Sequence, residues 1–179
     1  DLEGSLLMPG FIDAHLHITG HGMSLSQVDC KYPAVRSIRD IQQAFRLRVL
    51  SAPPGTWITG RGYDQMKLLE QRHPTRYDLD EVSSRHPLLL TRTCGHICVA
   101  NSLALSLAGI TSTTPDPPGG KIDRDESGVP TGVLREAAQR LLRDLAEPSH
   151  EDLVDATVAA SKIFMAGLSK VPQQPLSPA

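Results

Sequence analysis

Cysteine, net charge and long apolar runs are all scarce in this 179-residue sequence. The three cysteines, Cys30, Cys94 and Cys98, form an odd and scattered set that argues against a disulfide framework. A formal net charge of −2 gives no electrostatic basis for binding nucleic acid or a membrane surface. No apolar run approaches the ~20 residues that span a bilayer, and no signal-peptide pattern opens the sequence. These absences favour a globular protein of the cytoplasm.

Two capping boxes predict where helices begin. Ser37 followed by Asp40 predicts a helix, and Ser149 followed by Asp152 predicts another over residues 150–166. The first of these helices has one apolar face at helical spacing, formed by Ile38, Ile41 and Phe45. The other regular elements are predicted as strands over residues 57–59 and 87–93, short helices over 77–84 and 99–107, and a hairpin of 121–123 with 129–134.

The strongest functional signal is a His-x-His pair that ends a short apolar segment, residues 9–17. Alternate side chains of a strand point to the same face, which places His15 and His17 about 6–7 Å apart along the backbone. Two imidazoles at that spacing can bind one divalent ion together. The carboxylate of Asp13 is a candidate for orienting a metal-bound histidine by a hydrogen bond. Residues 20–22 predict a flexible loop where a substrate could approach. The alternative is a pair of ordinary surface or core histidines.

A second group of candidate site residues lies in the middle of the chain. Arg61 and Asp64 fall in a glycine-flanked stretch, residues 60–65, which predicts a loop that can approach a ligand closely, with an ordinary surface ion pair as the alternative. His96 follows Gly95 at a predicted strand-to-helix turn, where side chains often line a site.

Three other motifs are weaker. Cys94, His96 and Cys98 alternate like part of a zinc site, but no second cluster has ligand spacing, so buried free cysteines are the better interpretation. Residues 123–128 resemble the start of an EF-hand loop, yet the twelfth position is Leu134 rather than glutamate, which favours a solvated turn. The glycines at 60 and 62 lack the third glycine of a dinucleotide fingerprint, and no nucleophile elbow is present.

Residues 7–17 resemble the first-strand motif of the amidohydrolase superfamily of metal-dependent hydrolases. Four later segments resemble motifs of the amidohydrolase family 3 subgroup and follow one another in the same order as in that subgroup. They are residues 60–65, 91–96, 101–105 and 132–137. Residues 166–171 resemble the start of that family's next barrel strand, so the resemblance covers roughly residues 3–171.

The resemblance implies an α/β fold, the N-terminal part of a TIM-like (β/α)8 barrel with an α+β insert. It also implies a divalent metal, usually zinc, whose bound water hydrolyses an amide or another non-peptide C–N bond of a small molecule. His15 and His17 match the first two metal ligands, and His96 matches a histidine that faces the substrate pocket, with Arg61 and Asp64 as further candidates for substrate contact. Glu136 lies in a segment that recurs in the family. Three roles are open for it: a metal ligand, a residue that hydrogen-bonds to a metal ligand, or the first residue of a helix.

The same resemblance divides the chain. The expected parts are the end of a small β-sandwich (1–8), the first barrel strand and metal-binding loop (9–24), the insert (25–148), a helix with the start of the next strand (149–171), and a divergent proline-rich tail (172–179). The family's further ligands and its aspartate general base lie on later strands. We therefore expect a fragment that is inactive alone and compatible with a homo-oligomer. The alternative is a non-catalytic pseudoenzyme or a binding module built from the insert.

Overall fold

The computed structural model describes residues 17–168, with side chains described as far as residue 166. The helices are Ile18–Ser26 (α1), Ile38–Val49 (α2), Arg76–Asp80 (α3), Ser102–Leu107 (α4), Arg140–Arg143 (α5) and His150–Leu168 (α6). The strands are Val28–Asp29 (β1), Ile58–Tyr63 (β2), Leu88–Arg92 (β3), Ile97–Ala100 (β4), Gly120–Arg124 (β5) and Pro130–Glu136 (β6). Most of the predicted first barrel strand and the whole tail lie outside the described residues. The start of the next strand, predicted at residues 166–171, is wrong for residues 166–168, which end helix α6, and its remainder lies outside the described residues.

All six strands belong to one mixed sheet, in the order β1-β2-β3-β4-β6-β5. The first three strands run parallel, and β4, β6 and β5 are added through antiparallel pairings. The mixed α/β architecture confirms the predicted class, whereas the barrel stays a prediction.

Apolar side chains cover both faces of this sheet, which explains the uninterrupted apolar segment at 87–93. Leu88 and Leu90 belong to the core beneath α2 and α3, where they join Ile41, Phe45 and Leu79. Leu89 points to the opposite core, which also contains Cys98, Leu105, Leu134 and Leu142.

Helices α1 and α6, which precede and follow the sheet in the sequence, pack against each other. The Oγ1 atoms of Thr19 and Thr157 lie 3.0 Å apart across this contact. A side chain at Gly22 would clash with the carbonyl oxygen of Ala156. The prediction of a flexible loop at residues 20–22 is therefore wrong, because these residues lie inside α1 and Gly22 permits a close helix crossing.

The two helix starts predicted from capping boxes and the predicted hairpin are confirmed. The Ser37 side chain accepts a hydrogen bond from the Asp40 N–H at the start of α2, and Ser149 accepts one from Asp152 at the start of α6. Strands β5 and β6 form the predicted hairpin, in which the Asp125 carbonyl accepts the Gly128 N–H.

Two predicted elements have the wrong type. Residues 60–63 belong to strand β2 rather than to a loop, since Gly60 is required by the ring of Phe45: a Cβ at Gly60 would lie 2.6 Å from its Cζ. Residues 97–100, predicted as the turn into a helix and its beginning, form strand β4, which pairs with β3 and β6. Only Ser102–Leu107 is helical there.

Candidate functional site

The predicted metal-binding pair is divided by the limit of the described residues. His15 and Asp13 lie outside them. His17 is exposed and occupies the N-cap position of α1, where its carbonyl oxygen accepts a hydrogen bond from the His21 N–H at 2.9 Å. His17 is therefore followed directly by helix α1 rather than by the flexible loop predicted at residues 20–22.

Within residues 17–168, no group of three or more His, Cys, Asp or Glu side chains could hold a metal ion. A catalytic zinc has three protein ligands as a rule. A three-ligand metal site that includes His17 therefore needs at least one ligand from outside the described part of the chain.

The two candidates from the β2 segment have different surroundings. Asp64 follows β2 and accepts a hydrogen bond from Arg92 Nη2, with the Oδ1 atom 3.0 Å away. Arg92 is further held by Gln65, whose Oε1 accepts its Nε–H at 2.6 Å. The side chain of Arg61, by contrast, is exposed and has no hydrogen bond or ion pair to another described residue. The structure therefore leaves Arg61 open to a ligand and commits Asp64 to an ion pair.

His96 and Glu136 meet although 40 residues separate them. The imidazole Nδ1 lies 2.8 Å from Oε2 of Glu136, and the backbone N–H of Glu136 donates to the carbonyl of His96 at 2.8 Å. Both side chains are exposed, at 67% and 59%. The hydrogen bond and the charge of Glu136 raise the pKa of His96 above its usual value. This contact favours the protonated imidazole and orients its Nε2 away from Glu136.

Glu136 also has an unusual backbone conformation. Its φ of 49° and ψ of −125° lie in a region that residues other than glycine rarely adopt. It ends β6 and precedes a short 3-10 turn over Ala137–Gln139. Such conformations persist where the surrounding structure holds them, often at functional sites.

The interpretation of both cysteines as buried is wrong for Cys94. Cys94 is exposed in the turn between β3 and β4, which is a strand-to-strand turn rather than the predicted strand-to-helix turn. Desolvation alone would raise the pKa of Cys94, but hydrogen bonds with Arg92 and the His96 N–H outweigh it and lower that pKa. Cys98 is buried in β4, and burial raises its pKa to about 12.

One polar contact in this region has no signal in the sequence. The hydroxyl of the fully buried Tyr63 lies 2.9 Å from Nδ1 of His73, and the rings meet edge to face. Burial, with the charges of Arg135 and Arg92, lowers the pKa of His73. The contact joins the end of β2 to the loop before α3, and only the folded chain brings these residues together.

An open cavity of about 470 Å³ lies beside Arg61 on the face of the sheet near α5. Its lining includes the β2 and β3 residues Thr59, Arg61 and Thr91, together with Arg143 from α5.

Comparisons with known proteins bear on this site. The sequence model of the amidohydrolase family matches residues 1–169. An N-substituted formamide deformylase from Arthrobacter pascens is 42% identical over 142 residues, which are 79% of this chain and 26% of that protein. A putative amidohydrolase, YtcJ, from Bacillus subtilis (strain 168) is 38% identical over 160 residues, covering 89% of this chain and 30% of that protein.

The fold is also similar to that of a solved structure. An uncharacterized metal-dependent hydrolase from Pyrococcus horikoshii OT3 superposes with a TM-score of 0.64 at 30% identity, over 89% of this chain and 29% of that one. The chain thus spans between 26% and 30% of the length of these proteins. None of the helices in the described part is long and apolar enough to cross a bilayer.

Proposed function

This chain belongs to the amidohydrolase family, and on that basis we propose that it contributes to a metal-dependent hydrolase that cleaves amide or other non-peptide C–N bonds of small molecules. The observation that carries the proposal is the family match over residues 1–169, which includes the His-x-His segment. The deformylase and the metal-dependent hydrolase among the similar proteins support the same reaction class.

His15 and His17 would hold the metal, which we propose to be zinc because neutral imidazoles are common zinc ligands. When bound, the ion lowers the pKa of a water molecule toward neutrality and polarises the scissile carbonyl. Two imidazoles are fewer than the three protein ligands of a typical catalytic zinc site. The proposed activity therefore belongs to an assembly or longer polypeptide that supplies the missing ligands, and this chain alone is expected to be inactive.

The residues of the insert would act on the substrate rather than on the metal. His96, held through Nδ1 by Glu136, would present Nε2 to a substrate oxygen as a hydrogen-bond donor, and its raised pKa favours that protonated form. Glu136 is then a positioning residue rather than a metal ligand, since its carboxylate is already engaged by His96. Arg61 remains a candidate for substrate contact, and Asp64 would act by holding Arg92 in place.

The proposed architecture is a (β/α)8 barrel with an insert at residues 25–148, whose first two residues form the end of α1. The contact between α1 and α6 supports this arrangement, because the two helices that flank the sheet in sequence meet in space.

The three free cysteines, Cys30, Cys94 and Cys98, support a reducing compartment, and we place the protein in the cytoplasm.

A non-catalytic binding module is the second candidate function. It is favoured by one observation: the six-stranded sheet has an apolar core on each face, formed by residues of the insert itself. A module with its own core could fold and bind a ligand without the barrel. Metal binding that depends on His15 and His17 favours the hydrolase, whereas ligand binding without any metal dependence favours the module.

The metal assignment is tested on the chain itself by titration with Co²⁺, followed through its visible absorption. His15→Ala and His17→Ala should each weaken binding, and His150→Ala, at the exposed start of α6, should leave it unchanged. Equal affinity in all four proteins would contradict the assignment.

The reaction class is tested in a chimera. The matching segment of the Arthrobacter deformylase is replaced by this chain, and hydrolysis of a simple N-substituted formamide is measured. The chimera should be active, and His17→Ala should abolish turnover while His150→Ala retains it. A folded chimera that keeps its activity without His17 would overturn the proposal.

A further inference from the structure

We propose that the cavity beside Arg61 binds the carboxylate group of a small monoanionic molecule. This Arg61 cavity is the space of about 470 Å³ lined by the sheet residues Thr59, Arg61 and Thr91, by Arg143 of α5, and by Asp144 and Glu147 that follow it. The proposal concerns a site in the insert and does not depend on the metal site formed with His15 and His17.

No carboxylate among residues 17–166 forms an ion pair with Arg61. Four other arginines of the described residues pair with carboxylates: Arg72 with Asp78, Arg92 with Asp64, Arg124 with Asp116 and Arg135 with Asp123. Arg61 has neither an ion pair nor a side-chain hydrogen bond to any described residue, although acidic side chains line the same cavity. An arginine without a partner on a concave surface can bind an anion, because its guanidinium has five N–H donors.

Arg143 adds a second cation on the other side of the cavity. Its Nη2 donates to two neutral acceptors, the carbonyl of Gly95 at 3.0 Å and Oε1 of Gln139 at 2.9 Å. These bonds fix the guanidinium between α5 and the β3–β4 turn without neutralising its charge. Of the three guanidinium groups that line the cavity, that of Arg143 is held by these bonds and that of Arg92 pairs with Asp64. Neither Arg61 nor Arg143 forms an ion pair with a carboxylate of the described residues.

The floor of the cavity provides hydroxyl groups next to Arg61. Arg61 of β2 and Thr91 of β3 are direct partners in the parallel register, so their side chains are neighbours on one face of the sheet. The hydroxyls of Thr59 and Thr91 make no hydrogen bond to another described residue. A planar carboxylate can accept two parallel bonds from a guanidinium and further bonds from adjacent hydroxyls.

The backbone next to Arg61 lies close to the side chain of Lys31, which also lines the cavity. Gly62 has a φ of +98°, and a Cβ there would lie 2.5 Å from Cγ of Lys31. The register of β2 against β3 shifts between Arg61 and Tyr63, so Gly62 sits at an irregularity in the strand. Lys31 thus lies over Gly62 at the cavity wall, where its Nζ is 3.8 Å from Asp29.

The acidic residues of the cavity restrict the class of ligand. Asp144 and Glu147, in the segment that follows α5, balance the charges of Arg61 and Arg143, since the other two cations of the lining, Lys31 and Arg92, pair with Asp29 and Asp64. The two acidic side chains therefore oppose the entry of a multiply charged anion. A ligand with one carboxylate and an otherwise neutral body avoids this repulsion, whereas a phosphate dianion or a nucleotide does not. The charge distribution therefore favours a monocarboxylate over a multiply charged anion.

Calorimetric titration of the 179-residue chain with N-acetylglycinate tests the proposal, with the neutral N-acetylglycinamide as the matched probe. N-acetylglycinate should bind and the amide should not. Arg61→Gln should weaken binding by about tenfold or more, the usual effect of losing a charge-assisted bond, and Thr91→Val should weaken it by a smaller factor. Arg39→Gln provides the control, because Arg39 is an equally exposed arginine on α2, away from the cavity.

Several outcomes would overturn the site. These are no binding of N-acetylglycinate, equal losses in the Arg61 and Arg39 variants, or inorganic phosphate binding as tightly as the monocarboxylate. Co²⁺ titration of Arg61→Gln separates this proposal from the proposed function. Retained metal binding with lost carboxylate binding supports two independent sites, and loss of both contradicts their independence.

Discussion

Nδ1 of His96 lies 2.8 Å from Oε2 of Glu136, across the antiparallel pairing of β4 and β6. The two side chains come from the β3–β4 turn and from the end of β6, where Glu136 has a positive φ of 49°. The two residues lie 40 positions apart in the sequence, so the pair exists only in the folded chain.

Glu136→Gln is expected to lower the pKa of His96 toward its ordinary value, because the hydrogen bond and negative charge that raise it are weakened or removed. A raised folded-state pKa means that the pair contributes stability below the unfolded pKa of histidine, and that this contribution disappears as pH rises through the folded pKa. Titration of the His96 ring by NMR measures the shift. Glu126→Gln, in the exposed β5–β6 turn, is the matched control and should leave His96 unaffected.

Gly22→Ala should destabilise the protein by ~1–3 kcal/mol, the usual cost of overpacking, because the new methyl group would clash with the Ala156 carbonyl. Gly20→Ala makes the same change two residues earlier in α1. A Cβ at Gly20 would have Cβ of His17 as its nearest neighbour, at 3.9 Å. Alanine there should be neutral or stabilising by up to ~1 kcal/mol, since glycine disfavours helix. Urea denaturation compares the two variants, and equal destabilisation would show that the α1–α6 contact is not as described.

Asn101→Ala should cost several kcal/mol of stability (about 1–3 kcal/mol for each buried group left without a partner). The Asn101 side chain is fully buried, and its Oδ1 accepts the N–H groups of Leu88 and Ala104 at 3.0 Å. Its Nδ2 donates to the carbonyls of Ser83 and His86. Ser106→Ala, on the exposed side of α4, should change the free energy of unfolding little. A small effect at Asn101 in thermal or urea unfolding would argue against this network.

One thiol in the folded protein should react rapidly with a disulfide reagent near neutral pH. Cys94 is exposed and Arg92 helps to lower its pKa, whereas burial raises the pKa of both Cys30 and Cys98 to about 12. Cys94→Ser should remove the fast phase of thiol labelling, and Arg92→Gln should slow it because less thiolate is present. Cys98→Ser should leave the fast phase intact; a fast phase that persists in Cys94→Ser would contradict the burial of Cys30 or Cys98.

Predictions based on neighbouring residues agree with the structure. Ser37 and Ser149 start helices because each side chain bonds the backbone three residues later, which depends on nothing distant. The hairpin of β5 and β6 is equally local, with its turn closed by Asp125. The apolar face of α2 follows from helical spacing alone, and Ile38, Ile41 and Phe45 are buried as expected.

The errors share a physical cause, which is that glycine and short apolar segments have different meanings in different tertiary contexts. Gly22 and Gly60 signalled loops, but each is required by a close approach: of the Ala156 backbone in one case and of the Phe45 ring in the other. Residues 97–100 signalled the entry to a helix, yet they pair with β3 and with β6, which begins 30 residues beyond the end of β4 at Ala100. No local pattern contains these partners.

The sequence alone determined the family, through the His-x-His segment and the ordered motifs that follow it, and it determined the helix starts and the hairpin. These depend on chemistry or hydrogen bonds within a few residues of one another. Only the tertiary structure decided which candidates meet: that Asp64 is paired with Arg92, that His96 rests on Glu136, and that Arg61 stays open beside Thr91. Such pairings depend on strand order and register, which place residues far apart in the chain within hydrogen-bonding distance.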